Sequence, residues 1–277
     1  MTDNIGMYYF YNGELKDSTI VQMPVLKGNK AVYEVIRLIE GVPLFLKDHY
    51  ERLQGSISNI GYKIDFSFEV LADQIKKTSE ANCNLNCNVK IMVILTEAGR
   101  QTLLYISKSF YPDEELIEKG VNVGLLQLER ENPNIKLINL TYREAADKKI
   151  REGNYFEVLL CSSDGSITEG SKSNVFLVKE NRIFTAPGAN VLKGITRKYV
   201  MEACKSAGYE VLETNIAVSR LKEMDGLFLS GTSIKVLPVT GVEELCFKSA
   251  KNPVIQAIRK EYDKIIKKYI DEYVNIW

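Results

Sequence analysis

Three short stretches of the chain carry side chains that could do chemistry together. Asn134-Ile135-Lys136-Leu137-Ile138-Asn139 sets a primary amine among apolar residues. Ser166-Ile167-Thr168-Glu169-Gly170-Ser171-Lys172-Ser173-Asn174 places a carboxylate at the end of an expected strand. Leu192-Lys193-Gly194-Ile195-Thr196-Arg197 is a glycine turn opening an expected helix. An amine must be partly uncharged to attack a carbonyl, and burial favours the uncharged form, so Lys136 could form a Schiff base with a carbonyl cofactor. A carboxylate such as Glu169 can hold a protonated pyridine nitrogen. The free N–H groups of a helix start can hold a phosphate. A lone lysine is far more often a solvated surface residue; three matching features in one chain weaken that bland reading.

Composition bounds the kind of molecule that could carry them. At 277 residues the chain is long for one core, and two lobes are expected. Apolar residues at 45% and charged residues at 26% are ordinary for a soluble globular protein. Lys plus Arg equals Asp plus Glu at 36 each, which leaves no net electrostatic footprint for nucleic acid or an anionic membrane. No apolar run is long enough to span a bilayer. The opening Met1-Thr2-Asp3-Asn4-Ile5-Gly6 lacks the basic and apolar regions of a secretory signal, so a cytoplasmic location is expected. Five cysteines are an odd set and read as thiols of a reducing compartment. Cys83 and Cys87 have no histidine or second cysteine pair nearby, and His49 is the only histidine, so neither a metal site nor a catalytic triad is expected.

The positioning elements follow from periodicity and turn residues. Apolar residues 7–11 followed by Asn12-Gly13 predict an opening hairpin. Residues 31–39 alternate, with Tyr33, Val35 and Arg37 on one face and Val32, Glu34 and Ile36 on the other. A strand over 42–46 and a helix opening at Lys47, capped by Asp48, come next. The spacing predicts a helix over 66–77 and strands over 88–96 and 102–107. Tyr111-Pro112-Asp113-Glu114-Glu115 breaks the pattern and reads as a hinge. Beyond it, strands are expected over 121–128, 155–162, 166–168, 174–178, 182–185, 210–216, 226–230 and 236–239. A helix over 141–153 is expected to bury Ala145, Ala146 and Ile150, and a helix over 196–208 to end at glycine. Ile255, Ile258, Tyr262, Ile265 and Tyr269 mark one buried stripe of a long helix from Pro253.

Taken together, Ile167-Thr168-Glu169-Gly170, Ser173-Asn174-Val175-Phe176, Leu192-x-Gly194-Ile195-Thr196-Arg197 and Ser230-Gly231-Thr232 resemble the class IV aminotransferases, the fold-type IV pyridoxal-phosphate enzymes. The similarity runs from about Tyr8 to Val242. That family holds branched-chain aminotransferases, D-amino acid aminotransferases and aminodeoxychorismate lyases. The resemblance implies an α/β fold (α+β in its two-lobe arrangement). A small N-terminal α/β lobe would cover 1–110, a linker 111–120, and a larger lobe with a β-barrel-like sheet 121–277. It implies pyridoxal 5'-phosphate, amino acid and 2-oxo acid substrates, and a homodimer.

Residue by residue, Lys136 matches the Schiff-base and proton-shuttling lysine, and Glu169 the partner of the pyridine nitrogen. Arg52, in His49-x-x-Arg52-Leu53, matches the phosphate-binding arginine, whose planar fork suits paired charge-assisted bonds. The N–H groups of Ile195 and Thr196 and the hydroxyls of Thr196 and Thr232 would complete the phosphate cup. Ser173 and Asn174 fall in the cofactor motif, and His49 reads as structural.

Tyr33 and Val35 match pocket positions, and Tyr33-Glu34-Val35-Ile36 is closer to the D-amino acid enzymes than to branched-chain ones. The arginine-x-histidine carboxylate trap of the former is absent, because Arg100 is followed by Gln101-Thr102; the Arg-Pro of the latter is absent too. An unpaired buried anion is costly, so a cation must receive the substrate carboxylate. Arg37, Lys90, Arg100 and Lys235 are the candidates, with Ser233 beside the last. The choice depends on which face of each strand points inward. The expected activity is therefore amino transfer between an amino acid, leaning to D-alanine or D-glutamate, and a 2-oxo acid such as 2-oxoglutarate. A branched-chain L-aminotransferase, an aminodeoxychorismate lyase and a cofactor-free binding protein stand as rivals.

Overall fold

A computed structural model describes residues 5–17, 28–97 and 99–274. The chain divides into two compact units, one comprising Met1–Phe110, Ile135–Ile138 and Ile266–Trp277, the other Tyr111–Asn134 and Asn139–Ile265. Lys136 thus belongs by its contacts to the first unit, although the residues on either side of Ile135–Ile138 belong to the second.

In the first unit the strands are β1 (Tyr8–Tyr11), β2 (Glu14–Asp17), β3 (Lys30–Ile39), β4 (Val42–Pro43), β5 (Asn88–Thr96) and β6 (Gly99–Ser107). The helices α1 (Leu46–Asn59) and α2 (Phe68–Ala81) lie between β4 and β5 in sequence. The sheet is antiparallel in the order β2-β1-β6-β5-β3-β4. Alternation decides its faces. Val32, Ile36, Leu38, Val89, Ile91 and Val93 pack against Leu53, Ile57, Leu71 and Ile75 of the two helices. Each such side chain contributes about 1.5–3 kcal/mol on burial. Tyr33, Val35 and Arg37 point the other way, as the alternation predicts.

Two local expectations change. The strand expected over 42–46 stops at Pro43, since proline lacks the N–H a ladder needs. Phe45 then takes a left-handed conformation (φ 54°) and turns the chain into α1, so Asp48 sits in the first turn instead of capping it.

The second unit opens with a short helix, α3 (Glu114–Lys119), inside the stretch expected as a linker. Asp113 caps it by accepting from Leu116 N–H, a side-chain job that acidic residues do well. The unit continues through β7 (Val121–Gln127), α4 (Leu140–Gly153), β8 (Glu157–Cys161), β9 (Ser166–Gly170), β10 (Asn174–Lys179), β11 (Arg182–Thr185) and α5 (Ile195–Ser206). Then come β12 (Glu210–Glu213), β13 (Ile216–Ala217), β14 (Gly226–Gly231), β15 (Lys235–Val242), β16 (Leu245–Cys246) and α6 (Pro253–Tyr273). The last turns of α6 belong to the first unit.

Among the described residues these strands form one ten-stranded sheet along the path β12-β11-β10-β14-β15-β7-β8-β9-β13, with β16 on β15. The expected strand over 210–216 is therefore two, at opposite ends of that path. Only Thr214 and Asn215 join them, a link that spans about 11 Å at most. In a flat sheet the two end strands would stand about 38 Å apart. The sheet must curl back on itself into a barrel-like form. A hydrogen bond from Gly170 N–H to the Ser173 carbonyl (2.8 Å) seals β9 to the start of β10.

Candidate active site

Lys136 is fixed in the first unit as a one-step extension of the sheet. Tyr33 N–H donates to the Lys136 carbonyl (3.1 Å), and Ile138 N–H donates to the Ala31 carbonyl (2.8 Å). Val32 and Leu137 face each other as an antiparallel bridge. Because Leu137 shares the helix-packed face with Val32, Lys136 and Ile138 must point to the opposite face. There the Lys136 ammonium lies 4.7 Å from the centre of the Tyr33 ring, within cation–π range. The Lys136 N–H also approaches Ser56 Oγ at 3.5 Å, one helical turn beyond Arg52 on α1. This contact ties the Lys136 backbone to α1, the helix that carries Arg52.

Arg52 is engaged by a residue that sequence reasoning missed. Glu34 is 1% exposed and accepts from Arg52 Nε (2.7 Å, Oε1) and Nη2 (2.6 Å, Oε2). His49, also buried, meets Glu34 Oε2 through Nδ1 at 2.7 Å. Burial alone would push the Glu34 carboxyl up, but the Arg52 charge and the bonds from Arg52 and His49 outweigh it and hold the pKa down to about 2. Burial pushes the His49 imidazole below its ordinary value against the pull of Glu34. With Glu34 ionised and His49 neutral, Nδ1 carries the hydrogen and donates. His49 helps to hold the carboxylate that orients Arg52. Alternation sets Glu34 on the same face as Val32 and Ile36; an acid at such an apolar position was the available signal.

In the second unit Glu169 is buried on β9. Its Oε2 accepts from Leu192 N–H (3.2 Å) and the Asn174 amide (3.5 Å). Its Oε1 lies 2.9 Å from Arg130 Nε, an ion pair whose geometry is not that of an aligned hydrogen bond. The Arg130 guanidinium stacks 4.8 Å from the centre of the Tyr142 ring. Burial pushes the Tyr142 hydroxyl well up, so it stays protonated. Sequence reasoning did not single out Arg130, whose own neighbours are the acids Glu129 and Glu131. Ser173 belongs to the same constellation: Ser171 Oγ (3.3 Å), Lys172 N–H (2.6 Å) and Ser173 Oγ (3.1 Å) all bond Glu157 Oε1 and fix the turn between β9 and β10. Burial pushes the Glu157 carboxyl up against those donors.

The start of α5 is left without a side-chain cap. Its N-cap is Gly194, so the first N–H groups have no partner within the helix. Ile195 and Thr196 there are buried. A Cβ on Gly194 would meet Asn174 Oδ1 at 2.2 Å; the close approach of β10 demands glycine. Ser230, opposite Asn174 in the β10–β14 register, is 1% exposed. Its hydroxyl lacks a hydrogen-bond partner among the described residues. A buried polar group of this kind calls for an occupant. A phosphate on the α5 start is one that fits. The Thr196 hydroxyl bonds Tyr262 of α6, while Thr232 and Ser233 are half-buried in the turn after β14.

The candidates for a carboxylate receiver separate. Lys235 pairs with Asp263 at 2.8 Å. Arg100 pairs with Asp65 and donates to the Lys63 carbonyl (3.0 Å). Its register partner Leu95 places it on the helix-packed face, away from Tyr33. Arg37 and Lys90 share the Tyr33 face, with Val35 opposite Lys90.

The amino-transferase class IV family matches residues 31–242. The chain belongs to this family. A class IV aminotransferase of this kind resembles members of differing specificity to a similar degree. It is 29% identical over 253 residues to a D-alanine aminotransferase of Bacillus licheniformis, covering 86% of this chain and 89% of the relative. It is equally 29% identical over 253 residues to a "probable branched-chain-amino-acid aminotransferase" of Thermotoga maritima, covering 89% and 90%. Among solved structures, the branched-chain amino acid aminotransferase of Thermobaculum terrenum in its PLP form superposes with a TM-score of 0.82 at 20% identity, over 99% of this chain and 98% of that one. No helix of the described residues is long and apolar enough to cross a membrane.

Proposed function

We propose that this class IV aminotransferase uses pyridoxal 5'-phosphate to move an amino group between a D-amino acid, such as D-alanine or D-glutamate, and a 2-oxo acid such as 2-oxoglutarate. The observation that carries the reading is the Lys136 amine held over the Tyr33 ring by backbone bonds to β3, within the Tyr33-Glu34-Val35-Ile36 run of D-amino acid type. When bound, the cofactor supplies an electron-accepting ring that stabilises charge at the substrate Cα.

The chain's own residues do the rest. Lys136 would hold the cofactor, and its Nζ would take the proton from the substrate Cα. Glu169, bonded by the Leu192 N–H and beside Arg130, would hold the pyridine nitrogen. Asn174 orients Glu169 while fixing the Leu192 carbonyl (3.0 Å), and Ser173 holds the turn that presents both. By the family resemblance, Arg52, aligned by Glu34, would bind the phosphate, as would the Ile195 and Thr196 N–H groups and the Thr232 hydroxyl. Tyr33 and Val35 form the floor for the substrate.

The test is the half-reaction on cofactor-loaded protein. D- and L-alanine, glutamate and leucine are added separately while the cofactor's visible absorbance is followed. Rapid bleaching by the D-amino acids alone is expected. The equal identity to the Thermotoga relative favours a second reading, a branched-chain L-aminotransferase. Bleaching by L-leucine and L-glutamate instead would replace the first reading with it.

A further inference from the structure

Resting on that reading, we infer that Lys90 is the residue that receives the carboxylate of the amino acid and 2-oxo acid substrates. Lys90 stands in the middle of β5, in a strand buried along almost its whole length, and is itself 6% exposed. Its ammonium lies 5.5 Å from the centre of the Tyr33 ring and 5.7 Å from that of Tyr105. The same Tyr33 ring carries the Lys136 ammonium. Amines set 4.7 Å and 5.5 Å from one ring centre stand no more than about 10 Å apart, which puts one near the reacting nitrogen and leaves the other for the carboxylate.

The register explains why the two face the same way. Val35 and Tyr105 flank Lys90 across β3 and β6, and Tyr33 pairs with Met92 one step along. Paired residues share a face, so Tyr33, Val35, Arg37, Lys90 and Tyr105 line one surface, the one onto which Lys136 points. In β1, β3, β5 and β6 the positions of that face hold the cations Arg37 and Lys90, aromatic and aliphatic groups and the neutral polar Asn88, Thr96, Gln101 and Ser107, and no carboxylate. Such a surface has a positive field within apolar walls, where a charge-assisted bond to an anion is strong. It selects a carboxylate-bearing amine over a neutral one. Of the four cations the sequence offered, Arg100 lies on the opposite face and Lys235 is turned to Asp263. Arg37 is a diagonal neighbour two residues along β3 and adds to the field.

The test compares cofactor-loaded wild type with Lys90→Met, a near-isosteric change that suits an apolar strand, and Lys90→Arg. Equilibrium binding of 2-oxoglutarate is measured calorimetrically, and the D-alanine concentration for half-saturation is taken from the absorbance change. The expected result is weaker binding of both by about tenfold to a hundredfold in Lys90→Met, largely restored in Lys90→Arg. Cofactor affinity and melting temperature should match wild type. A Lys90→Met protein that binds 2-oxoglutarate as tightly as wild type overturns the inference, as does a loss of cofactor affinity that accounts for the whole effect. Failure of the aminotransferase reading would show separately, as a wild-type protein that no amino acid bleaches, and the 2-oxoglutarate titration would still decide the role of Lys90.

Discussion

Replacing Glu34 with glutamine removes a buried anion shared by Arg52 and His49 and leaves a guanidinium without its counter-ion. Arg52 is only 12% exposed there, so solvent does little to compensate. The Glu34 carboxyl is held to about 2 against an ordinary 4.5, a difference that corresponds to about 3 kcal/mol of native-state stabilisation. Because the folded value lies below the unfolded one, this stabilisation is complete above about pH 4.5 and is lost as pH falls through about 2. Less than half of it should remain by about pH 3. Urea unfolding of cofactor-free wild type and Glu34→Gln, followed by circular dichroism between pH 7 and pH 3, should show a gap of about 3 kcal/mol that closes with acid. A paired measurement separates stability from orientation. The affinity for pyridoxal phosphate should fall in Glu34→Gln, whereas that for unphosphorylated pyridoxal should not. A variant within about 0.5 kcal/mol of wild type at pH 7, with unchanged pyridoxal phosphate affinity, would refute the reasoning.

Three further outcomes follow from the same geometry. Gly194→Ala puts a Cβ 2.2 Å from Asn174 Oδ1 and 3.3 Å from Arg197 Cβ; it should destabilise by about 1–3 kcal/mol and weaken cofactor binding, read by melting and by fluorescence titration. Glu169→Gln should keep bound cofactor yet lower turnover by about a hundredfold or more, measured under saturating cofactor. His49 stays neutral in the fold because burial lowers its pKa. Stability should therefore be complete above about pH 6.5 and decline as pH falls below it, and His49→Asn should flatten that decline in unfolding measured between pH 7.5 and pH 5.5.

Much of the fold was legible because its signals are local. Alternation in β3 assigned Tyr33, Val35 and Arg37 to one face, and the Asn12-Gly13 turn marked a hairpin. The boundary at Phe45 was not legible, since a left-handed phenylalanine has no sequence signature. Nor was the break at Thr214-Asn215, which the curl of the whole sheet imposes on a segment of uniform strand character. In the site, Lys136, Glu169 and Thr196 stood out because each lies in a motif of contiguous residues. Glu34 and Arg130 did not, because their partners lie far along the chain: Arg52 and His49 for one, Glu169 for the other. The ambiguity among Arg37, Lys90, Arg100 and Lys235 was one of strand face, and only register resolves it.

The central claim is that Lys136 carries the cofactor. Purified protein loaded with pyridoxal 5'-phosphate and reduced with borohydride would be digested and its peptides mapped by mass spectrometry. The account predicts a single phosphopyridoxyl label on Lys136, absent from Lys136→Ala. A label on another lysine, or full amino transfer by Lys136→Ala, would contradict it.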